Sequence, residues 1–365
     1  MKGLYFVFTL ITSISFGQIP SGYYDLATGT EYILKTQLYN IINGHTDNGY
    51  SGLYVTYTTS DIDSYFEDNG TVLDMYSEKV DVDGNNVIDS YEYTYAIESP
   101  DDRDPGSGGT SEGEYYNREH IVPQGIFNSN SPMRNDAHFV VPSDKFVNSQ
   151  RGNFPFGVVD SPNWTSSNGS KRGNNLNSGY SAGYSGTVFE PINEFKGDIA
   201  RMFFYFVTRY ENVVSGYSYT MFDGSSDHAF DDTFLNILYQ WHIDDPVSAR
   251  EVDRNNAIYT RQGNRNPFID HPEYFLSIWN ASLSASDFNS NSISMYPNPV
   301  KSNTVHFSTT QDLDVIIYDV LGKQILTQKI TSSKNTVNVS DLNKGLYLVR
   351  LISEQGEITK KLIKQ

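Results

Sequence analysis

Residues 117 to 157 read NREHIVPQGIFNSNSPMRNDAHFVVPSDKFVNSQRGNFPFG, and this stretch decides the fold of the first part of the chain. Two short apolar runs, Ile121-Val122-Pro123 and Phe139-Val140-Val141-Pro142, each follow a polar segment and predict two strands. Ser143 comes directly after the second run and is a good N-cap, so we expect a helix to begin there. The predicted unit is strand, loop, strand, helix.

The side chains of this stretch are of the types that can hydrolyse a phosphodiester when they meet around one point. The carboxylate of Glu119 and the amide oxygen of Asn148 are hard oxygen ligands suited to Mg²⁺. The imidazole of His120 titrates near neutrality and can take a proton from water. Arg151 can bind a phosphate through two parallel hydrogen bonds. Asp144, Asn148 and Arg151 fall on one face of the predicted helix.

At these residues the chain resembles the endonuclease I family, secreted or periplasmic nucleases of the ββα-metal (His-Me finger) type. The matching residues are Arg-Glu-His from residue 118, Met-Arg-x-Asp-x-His from 133, Pro-x-Asp from 142 and Val-Asn-x-x-Arg-x-Asn-x-Pro-Phe-Gly from 147. The resemblance implies an α+β fold in which surrounding helices enclose a ββα-metal (His-Me finger) nuclease core.

The same resemblance implies roles for individual residues. It makes His120 the general base and adds Arg151 and Arg134 as catalytic arginines that contact phosphate or stabilise the transition state. It makes Glu119 and Asn148 the ligands of Mg²⁺, with Mn²⁺ or Ca²⁺ as alternatives. The substrate-binding residues that it implies are Arg118, Asn153 and Arg201.

One histidine of the stretch is predicted to be structural. His138 is flanked by apolar residues on a predicted strand, where a histidine is usually hydrogen-bonded inside the fold. The set of metal ligands is also complete without it. We therefore expect His138 to stabilise the core and to take no part in chemistry.

Residues 71–97 are rich in Val, Ile and Tyr and predict a hairpin that turns around Asp83-Gly84-Asn85-Asn86. The spacing of a calcium loop is also present, at Asp81, Asp83, Asn85 and Glu92. Asn86, however, stands where such a loop needs glycine for its sharp turn, and no flanking helix is predicted. The pattern favours the hairpin and leaves calcium binding open.

Helical periodicity is found on both sides of the central stretch. It predicts helices over residues 32–42, 194–207, 230–242, 245–259 and 272–279. The buried face predicted for the second helix consists of Phe195, Ile199, Met202 and Phe206. Asp198 and Arg201 lie on another face and are expected to form a surface pair. Residues 100–114 and 161–185 are rich in Gly, Ser and Asn and are predicted loops.

The first residues have the pattern of a secretory signal peptide. Lys2 precedes an apolar run, and Ser15 and Gly17 occupy the small-residue positions of a cleavage site, so residues 1–17 are predicted to be removed before Gln18. The apolar run is too short for a membrane span, and no later stretch reaches the ~20 apolar residues that a transmembrane helix needs. The chain is therefore predicted to be exported.

The last part of the chain changes in composition. Residues 282–294 are a polar linker, and short alternating strands with turns between them follow in residues 295–365, which predict a small all-β sandwich. Phrases such as Met295-Tyr-Pro-Asn-Pro and Leu342-Asn-Lys-Gly-Leu-Tyr resemble the C-terminal sorting domain of the type IX secretion system. A carbohydrate-binding or surface-binding sandwich is the alternative. Residues 18–281 are then the nuclease domain.

Charge and cysteine content limit the function. The chain has 365 residues and a net charge of −18. It has no cysteine, which excludes a disulfide framework and thiol catalysis. Residues 291–365 carry nine Lys or Arg against six Asp or Glu, so the acidic charge belongs to the nuclease domain. Binding of nucleic acid by this acidic domain then requires either that its basic residues cluster locally or that divalent ions screen the repulsion from the phosphates. The basic residues that could cluster are Arg118, Arg134, Arg151, Lys171, Arg172, Lys196 and Arg201.

The sequence predicts a secreted, metal-dependent, non-sequence-specific endonuclease that hydrolyses DNA, RNA or both to 5′-phosphate products. Its expected partners are the nucleic acid substrate and the type IX secretion machinery, and its expected location is extracellular or at the cell surface. Activity should rise with the titration of His120 at roughly pH 6 to 7 if the environment shifts that pKa little. A non-enzymatic exported surface protein that retains the nuclease fold is the alternative.

Overall fold

The computed structural model describes residues 19–66, 68–78, 91–95, 102–283, 294–301, 303–308, 312–319, 323–331, 334–353 and 356–365. The predicted signal peptide, Asp81 to Asn86 of the hairpin or calcium loop, and most of the linker lie outside these residues. The chain divides into two compact units, Met1–Trp279 and Asn280–Gln365. The domain limits predicted from composition, near residues 281 and 295, stay predictions.

The first unit mixes helices and short strands. Its helices are α1 (Glu31–Ile42), α2 (Gly52–Ser60), α3 (Lys145–Arg151), α4 (Lys196–Arg209), α5 (Glu211–Val214), α6 (Asp232–Asp244), α7 (Ala249–Gln262), α8 (Pro267–Asp270) and α9 (Tyr274–Leu283). Its strands are β1 (Tyr116–His120), β2 (Val140–Asp144), β3 (Val159–Thr165), β4 (Lys171–Asn175) and β5 (Thr187–Glu190). The predicted helix over residues 32–42 is confirmed by α1.

Strands β1 and β2 pair antiparallel and α3 follows β2 without a loop. Glu119 lies opposite Val141 and His120 opposite Val140. The side chain of Asp144 accepts hydrogen bonds from the backbone amides of Phe146 and Val147 and so caps the helix. The predicted order of strand, loop, strand and helix is therefore present.

Two details of that prediction are wrong. The first strand ends at His120, before the predicted apolar run, because the chain turns at Pro123, whose carbonyl accepts from the amide of Ile126. Ser143 does not cap α3, because it is still paired within the sheet, opposite Asn117. The cap therefore falls to Asp144.

Helix α4 runs through the centre of the first unit and is buried from Gly197 to Arg209. The predicted buried face is confirmed, with Phe195, Ile199, Met202 and Phe206 all inside. The predicted surface pair is wrong, because α7 covers that face with complementary charges. Arg201 binds Glu251 through two hydrogen bonds of 2.6 and 2.8 Å, and Asp198 pairs with Arg250.

Helix α7 begins later than predicted. Ser248 and Glu251 form a reciprocal capping box at its first turn, whereas the carboxylate of Asp245, where the helix was predicted to begin, accepts from the backbone amide of Gly197 instead. Its last turn is followed by Gly263 in the left-handed conformation at φ 80°, as helix ends prefer. The helices predicted over residues 230–242 and 272–279 are confirmed by α6 and α9, each of which begins two residues later than predicted.

The segment predicted as a loop over residues 161–185 instead contributes to a sheet, in the order β3-β4-β5. Gly173 explains why its glycine-rich composition is compatible with a strand. A Cβ atom at this position would lie 2.4 Å from the carbonyl oxygen of Ser161, so only glycine permits this close strand pairing.

Beyond the end of α9, the regular elements of the second unit in its described residues are all β-strands. Its strands are β6 (Ser294–Tyr296), β7 (Thr304–Ser308), β8 (Leu313–Asp319), β9 (Gln324–Ile330), β10 (Thr336–Asn338), β11 (Gly345–Ser353) and β12 (Gly356–Lys364). They form two antiparallel sheets, in the orders β10-β7-β6 and β12-β11-β8-β9. Phe307 of the first sheet and Ile317 of the second belong to one apolar core, which is the arrangement of a small sandwich.

Among the residues that the structure describes, no helix has the length and apolar character required to cross a bilayer.

The buried pair of Arg201 and Glu251 gives a test of the fold. Arg201→Ala should lower the free energy of unfolding of the first unit by about 3 to 5 kcal/mol, because it leaves Glu251 as an unpaired buried charge. Urea unfolding followed by tryptophan fluorescence measures this unit alone, since all three tryptophans of the chain belong to it.

Arg261→Ala is the matched control for that experiment. The guanidinium of Arg261 donates to a neutral hydroxyl, that of Thr56, and is partly exposed, so its loss should cost less than about 1 kcal/mol. A cost for Arg201→Ala as small as that of the control would contradict the assignment of the pair to the scaffold.

Candidate active site

Glu119 lies on β1 with its carboxylate inside the protein, and only 3% of the residue is exposed. Its Oε1 accepts a hydrogen bond from the Tyr76 hydroxyl at 3.1 Å and pairs with Nη1 of Arg151 at 3.1 Å. Burial raises the pKa of this carboxyl to about 7, while Arg151 and Tyr76 oppose the rise. Within the described part of the chain, no side chain donates to the other carboxylate oxygen.

His120 is the next residue on β1, and its ring is fixed through one nitrogen. Nε2 lies 3.1 Å from the backbone oxygen of Arg134. A carbonyl oxygen can only accept, so Nε2 carries the hydrogen and Nδ1 keeps the lone pair of the neutral ring. No described residue forms a hydrogen bond with Nδ1. The fold therefore presents Nδ1 as a free basic nitrogen.

The environment of His120 changes its acidity. Burial lowers the pKa of the imidazole to about 4, and the charges of Arg134, Arg118 and Arg151 act in the same direction. A titration near pH 6 to 7 was expected only if the environment shifted this pKa little, and burial does not meet that condition. The ring is neutral at pH 7.

Asn148 lies on α3 and points its amide toward β1. Its Nδ2 donates to Oδ1 of Asn117 at 2.8 Å, which fixes the orientation of the amide. Among the described residues, nothing donates to Oδ1 of Asn148. Strand pairing and the helix cap together bring Asn148 to the strand that carries Glu119 and His120.

Two oxygens to which no described side chain donates, one from Glu119 and one from Asn148, are suited to bind a hard divalent cation. One carboxylate oxygen of Glu119 and the amide oxygen of Asn148 each lack a side-chain donor among the described residues, and both are ligand types that Mg²⁺ prefers. No group of three or more His, Cys, Asp or Glu side chains with metal-binding geometry occurs in the described residues. A cation here would thus have two protein ligands and keep positions for water and phosphate oxygens.

The ring of Tyr50 gathers two arginines beside His120. The guanidinium of Arg118 lies 3.5 Å and that of Arg134 4.0 Å from the ring centroid, and the imidazole stacks on the same ring with centroids 6.0 Å apart. Neither arginine has a carboxylate partner among the described residues. Two uncompensated positive charges therefore lie next to the candidate base.

Arg151 is placed differently from these two arginines. It is 1% exposed, and its guanidinium donates to the backbone oxygens of His120 at 3.1 Å, Gly152 at 3.2 Å and Ile121 at 2.6 Å, besides pairing with Glu119. This geometry favours a positioning role. The direct phosphate contact predicted for Arg151 stays a prediction.

The two remaining predicted substrate contacts, Asn153 and Arg201, differ in their exposure to solvent. Asn153 is exposed just after α3, and no described residue hydrogen-bonds its side chain, so its amide is available to a ligand. Arg201 is fully buried and donates to Glu251, His242 and the backbone oxygen of Asp245. A substrate contact of Arg201 stays a prediction that its present partners do not favour.

His138 occupies the structural position that the sequence indicates. It is buried, its Nε2 lies 3.1 Å from the backbone oxygen of Asn264, and its ring packs 4.6 Å from that of Tyr205. Burial lowers the pKa of the imidazole to about 4. Neither candidate metal ligand contacts it.

Three site residues have no counterpart in the sequence reasoning: Tyr50, Tyr76 and Asn117. Asn117 directly precedes the Arg-Glu-His motif on the first strand, so packing of the predicted helix against that strand could have suggested it as a partner of Asn148. Tyr50 and Tyr76 are ordinary tyrosines in a chain that has 27 of them, and no local pattern distinguishes the two that reach the site.

The family model described as Endonuclease I matches residues 30–273. The chain belongs to the endonuclease I family. Two relatives of this family member are named "Extracellular ribonuclease". The one from Bacillus amyloliquefaciens is 34% identical over 271 residues, and the one from Bacillus subtilis (strain 168) is 33% identical over 274 residues. Each alignment covers 70% of this chain and 78% of the relative.

A second family model, described as Secretion system C-terminal sorting domain, matches residues 294–365 of this endonuclease I family member. The all-β unit is thus a type IX sorting domain. The alternative of a carbohydrate-binding or surface-binding sandwich is set aside. The protein is a secreted or cell-surface nuclease and a hydrolase.

The protonation state of His120 can be measured directly. In the full chain without added metal, nitrogen-15 NMR of the imidazole should show a neutral ring with hydrogen on Nε2 at pH 7 and protonation only near pH 4, because burial disfavours the charged form. A pKa near 6.5, or hydrogen on Nδ1 at pH 7, would contradict the geometry.

Proposed function

We propose that this nuclease is a metal-dependent endonuclease without sequence specificity that hydrolyses phosphodiester bonds in both RNA and DNA. We assign β1, β2 and α3 to the ββα-metal core of a His-Me finger nuclease. The proposal rests on the free Nδ1 of His120, on its position directly after Glu119 on β1, and on the oxygens of Glu119 and Asn148 that no described side chain engages.

His120 is the general base of the proposed reaction. Its Nδ1 takes a proton from the attacking water. The carbonyl oxygen of Arg134 accepts the hydrogen bond from Nε2 and stabilises the positive charge that develops on the ring. The low pKa keeps the base in its neutral form at physiological pH.

Glu119 and Asn148 are the proposed ligands of the cation, Mg²⁺ with Mn²⁺ or Ca²⁺ as alternatives. When bound, the cation supplies positive charge to the phosphate and to the departing 3′ oxygen. Tyr76 and Arg151 orient the carboxylate, and Asn117 orients the amide, so the two oxygens are placed before the cation arrives.

Arg118, Arg134 and Asn153 are the proposed contacts to substrate phosphates. The two arginines are suited to this role because their guanidinium groups have no carboxylate partner among the described residues and lie next to the base. We assign Arg151 to positioning, since it joins Glu119 to the backbone at His120.

Water as the nucleophile determines the substrates and the products. A reaction that uses water has no need of the ribose 2′-hydroxyl, so DNA should be cut as well as RNA. The name of the Bacillus relatives supports RNA as a substrate. Departure of the 3′ oxygen leaves the phosphate on the 5′ end of the product.

His120→Ala should lower kcat by roughly 10² to 10⁴, the range for the loss of a general base, while KM changes little. Asn148→Ala should instead raise the Mg²⁺ concentration required for half-maximal rate by roughly 10-fold or more. Steady-state cleavage measured across Mg²⁺ concentrations separates the two effects. Wild-type rate in His120→Ala, or full activity in excess chelator, would refute the assignment.

End-group analysis of the products tests the nucleophile. RNA and DNA oligonucleotides of the same sequence should both yield 5′-phosphate ends with Mg²⁺ present. Products with 2′,3′-cyclic phosphate from RNA, together with intact DNA, would show attack by the 2′-hydroxyl and overturn the water mechanism. Absence of any cleavage would favour the non-enzymatic surface protein.

Deletion of residues 295–365 should leave the specific activity of the nuclease unit unchanged and stop its export, because the sorting domain implies recognition by the type IX machinery. Activity assays of lysate and culture medium from a host with that machinery measure both properties. Continued secretion of the truncated chain would contradict the proposed role of the C-terminal unit.

A further inference from the structure

Phe154 is a large apolar side chain at the surface just beyond α3. It is 39% exposed, although the backbone that carries it is fixed. Its amide donates to the backbone oxygen of Arg151 at 3.2 Å, and its carbonyl accepts from the Tyr219 hydroxyl at 3.3 Å. A ring that is both exposed and held in place is suited to stack against a flat ligand.

The guanidinium of Arg172 on β4 lies over this ring, with its carbon 6.0 Å from the ring centroid, and leaves the opposite face to a ligand. Its Nη1 donates to the side-chain oxygen of Gln150 at 2.9 Å and to the Gln150 backbone oxygen at 3.2 Å, and its Nε donates to Asn163 at 3.2 Å. These acceptors are neutral, so they orient the guanidinium without cancelling its charge. In the described residues Nη2 has no partner.

The charge of Arg172 is conspicuous in a chain with a net charge of −18. Arg151, Arg201, Arg250, Arg254 and Arg265 pair with carboxylates. Arg172 resembles Arg118 and Arg134 instead, whose described partners are neutral. An oriented guanidinium without a carboxylate attracts an anion, and Nη2 can donate to a phosphate oxygen.

The Phe154 and Arg172 pair is tied to the candidate metal ligand through α3. Gln150 and Asn148 belong to the same helix, and the helical rise of ~1.5 Å per residue puts Gly152 roughly 6 Å beyond Asn148 along the axis. Phe154 follows two residues later. A strand bound at Asn148 can therefore reach this pair with a neighbouring nucleotide.

We propose that Phe154 and Arg172 form a subsite for a nucleotide that flanks the scissile phosphate. The base stacks on the Phe154 ring, and Nη2 of Arg172 binds the phosphate of that nucleotide. Stacking on an aromatic ring is tolerant of sequence, because every base has a flat face. The inference rests on the proposed nuclease function and specifies how an acidic protein binds its strand.

Single-stranded oligonucleotides with one abasic nucleotide, placed at each position in turn, test the stacking. Cleavage by the full chain with Mg²⁺ should be suppressed about 5-fold or more at one fixed distance from the abasic nucleotide. Phe154→Ala should abolish this suppression, and Phe154→Tyr should retain it. Cuts at other linkages of the same strand are the internal reference, so partial unfolding of a variant does not alter the ratio.

Tyr65→Ala is the matched control for that experiment, since Tyr65 is an exposed ring that contacts Asp253 of α7 and no site residue. It should keep the wild-type cleavage pattern. An unchanged pattern in Phe154→Ala, or a wild-type pattern with no suppressed linkage, would overturn the subsite while leaving the nuclease function intact. Absence of cleavage by wild type would instead overturn the nuclease function.

The salt dependence of kcat/KM tests Arg172. Loss of one phosphate contact should reduce the slope of log(kcat/KM) against log salt concentration by about 0.7 for a single strand. Arg172→Ala should show this reduction and Arg172→Lys should not. Lys323→Ala, in the C-terminal unit, makes the same change in net charge and should leave the slope unchanged. An unchanged slope in Arg172→Ala, or an equal change in the control, would overturn the phosphate contact.

Discussion

The guanidinium of Arg151 joins the strand that carries the candidate base to the helix that carries the amide ligand. It is the last residue of α3, yet it pairs with Glu119 of β1 and donates to the backbone oxygens of His120 and Ile121. Removing either partner of a buried ion pair leaves an uncompensated charge, so β1 and α3 are bound to one relative position. The geometry of the site depends on this contact.

The arginines of the nuclease unit divide into two groups by their partners. Arg201, Arg250 and Arg254 are buried and paired with carboxylates, and they stabilise the scaffold around α4 and α7. Arg118 and Arg134 have no carboxylate partner among the described residues and lie beside His120. An acidic chain can therefore present local positive charge where phosphate is expected, and its net charge is a poor guide to its ligand.

The residue types and spacing of the central motif were sufficient to predict the order of strand, loop, strand and helix that β1, β2 and α3 form. This prediction succeeded because strand pairing and helix periodicity act over short distances along the chain. The roles of Glu119, His120 and Asn148 stay predictions. The cap of α3 was misplaced by one residue, because sequence alone does not show that Ser143 is still paired in the sheet.

Contacts between distant segments were beyond the sequence. Tyr50 and Tyr76 reach the site from 70 and 43 residues away, measured to His120 and Glu119, and only the folded chain brings them there. The same reason explains the error at Arg201, which looked like a surface residue until the position of Glu251 on α7 was known. The lowered pKa of His120 likewise follows from burial, which no local pattern encodes.

Anomalous diffraction from crystals of the His120→Ala protein grown with Mn²⁺ is the most direct test of the central claim, that Glu119 and Asn148 hold a catalytic cation beside the base. The variant retains both ligands and loses the chemistry, so bound metal is measured apart from turnover. The account predicts one anomalous peak within about 2.0 to 2.6 Å of an oxygen of each ligand. A metal bound elsewhere, or no peak at this pair, would contradict it.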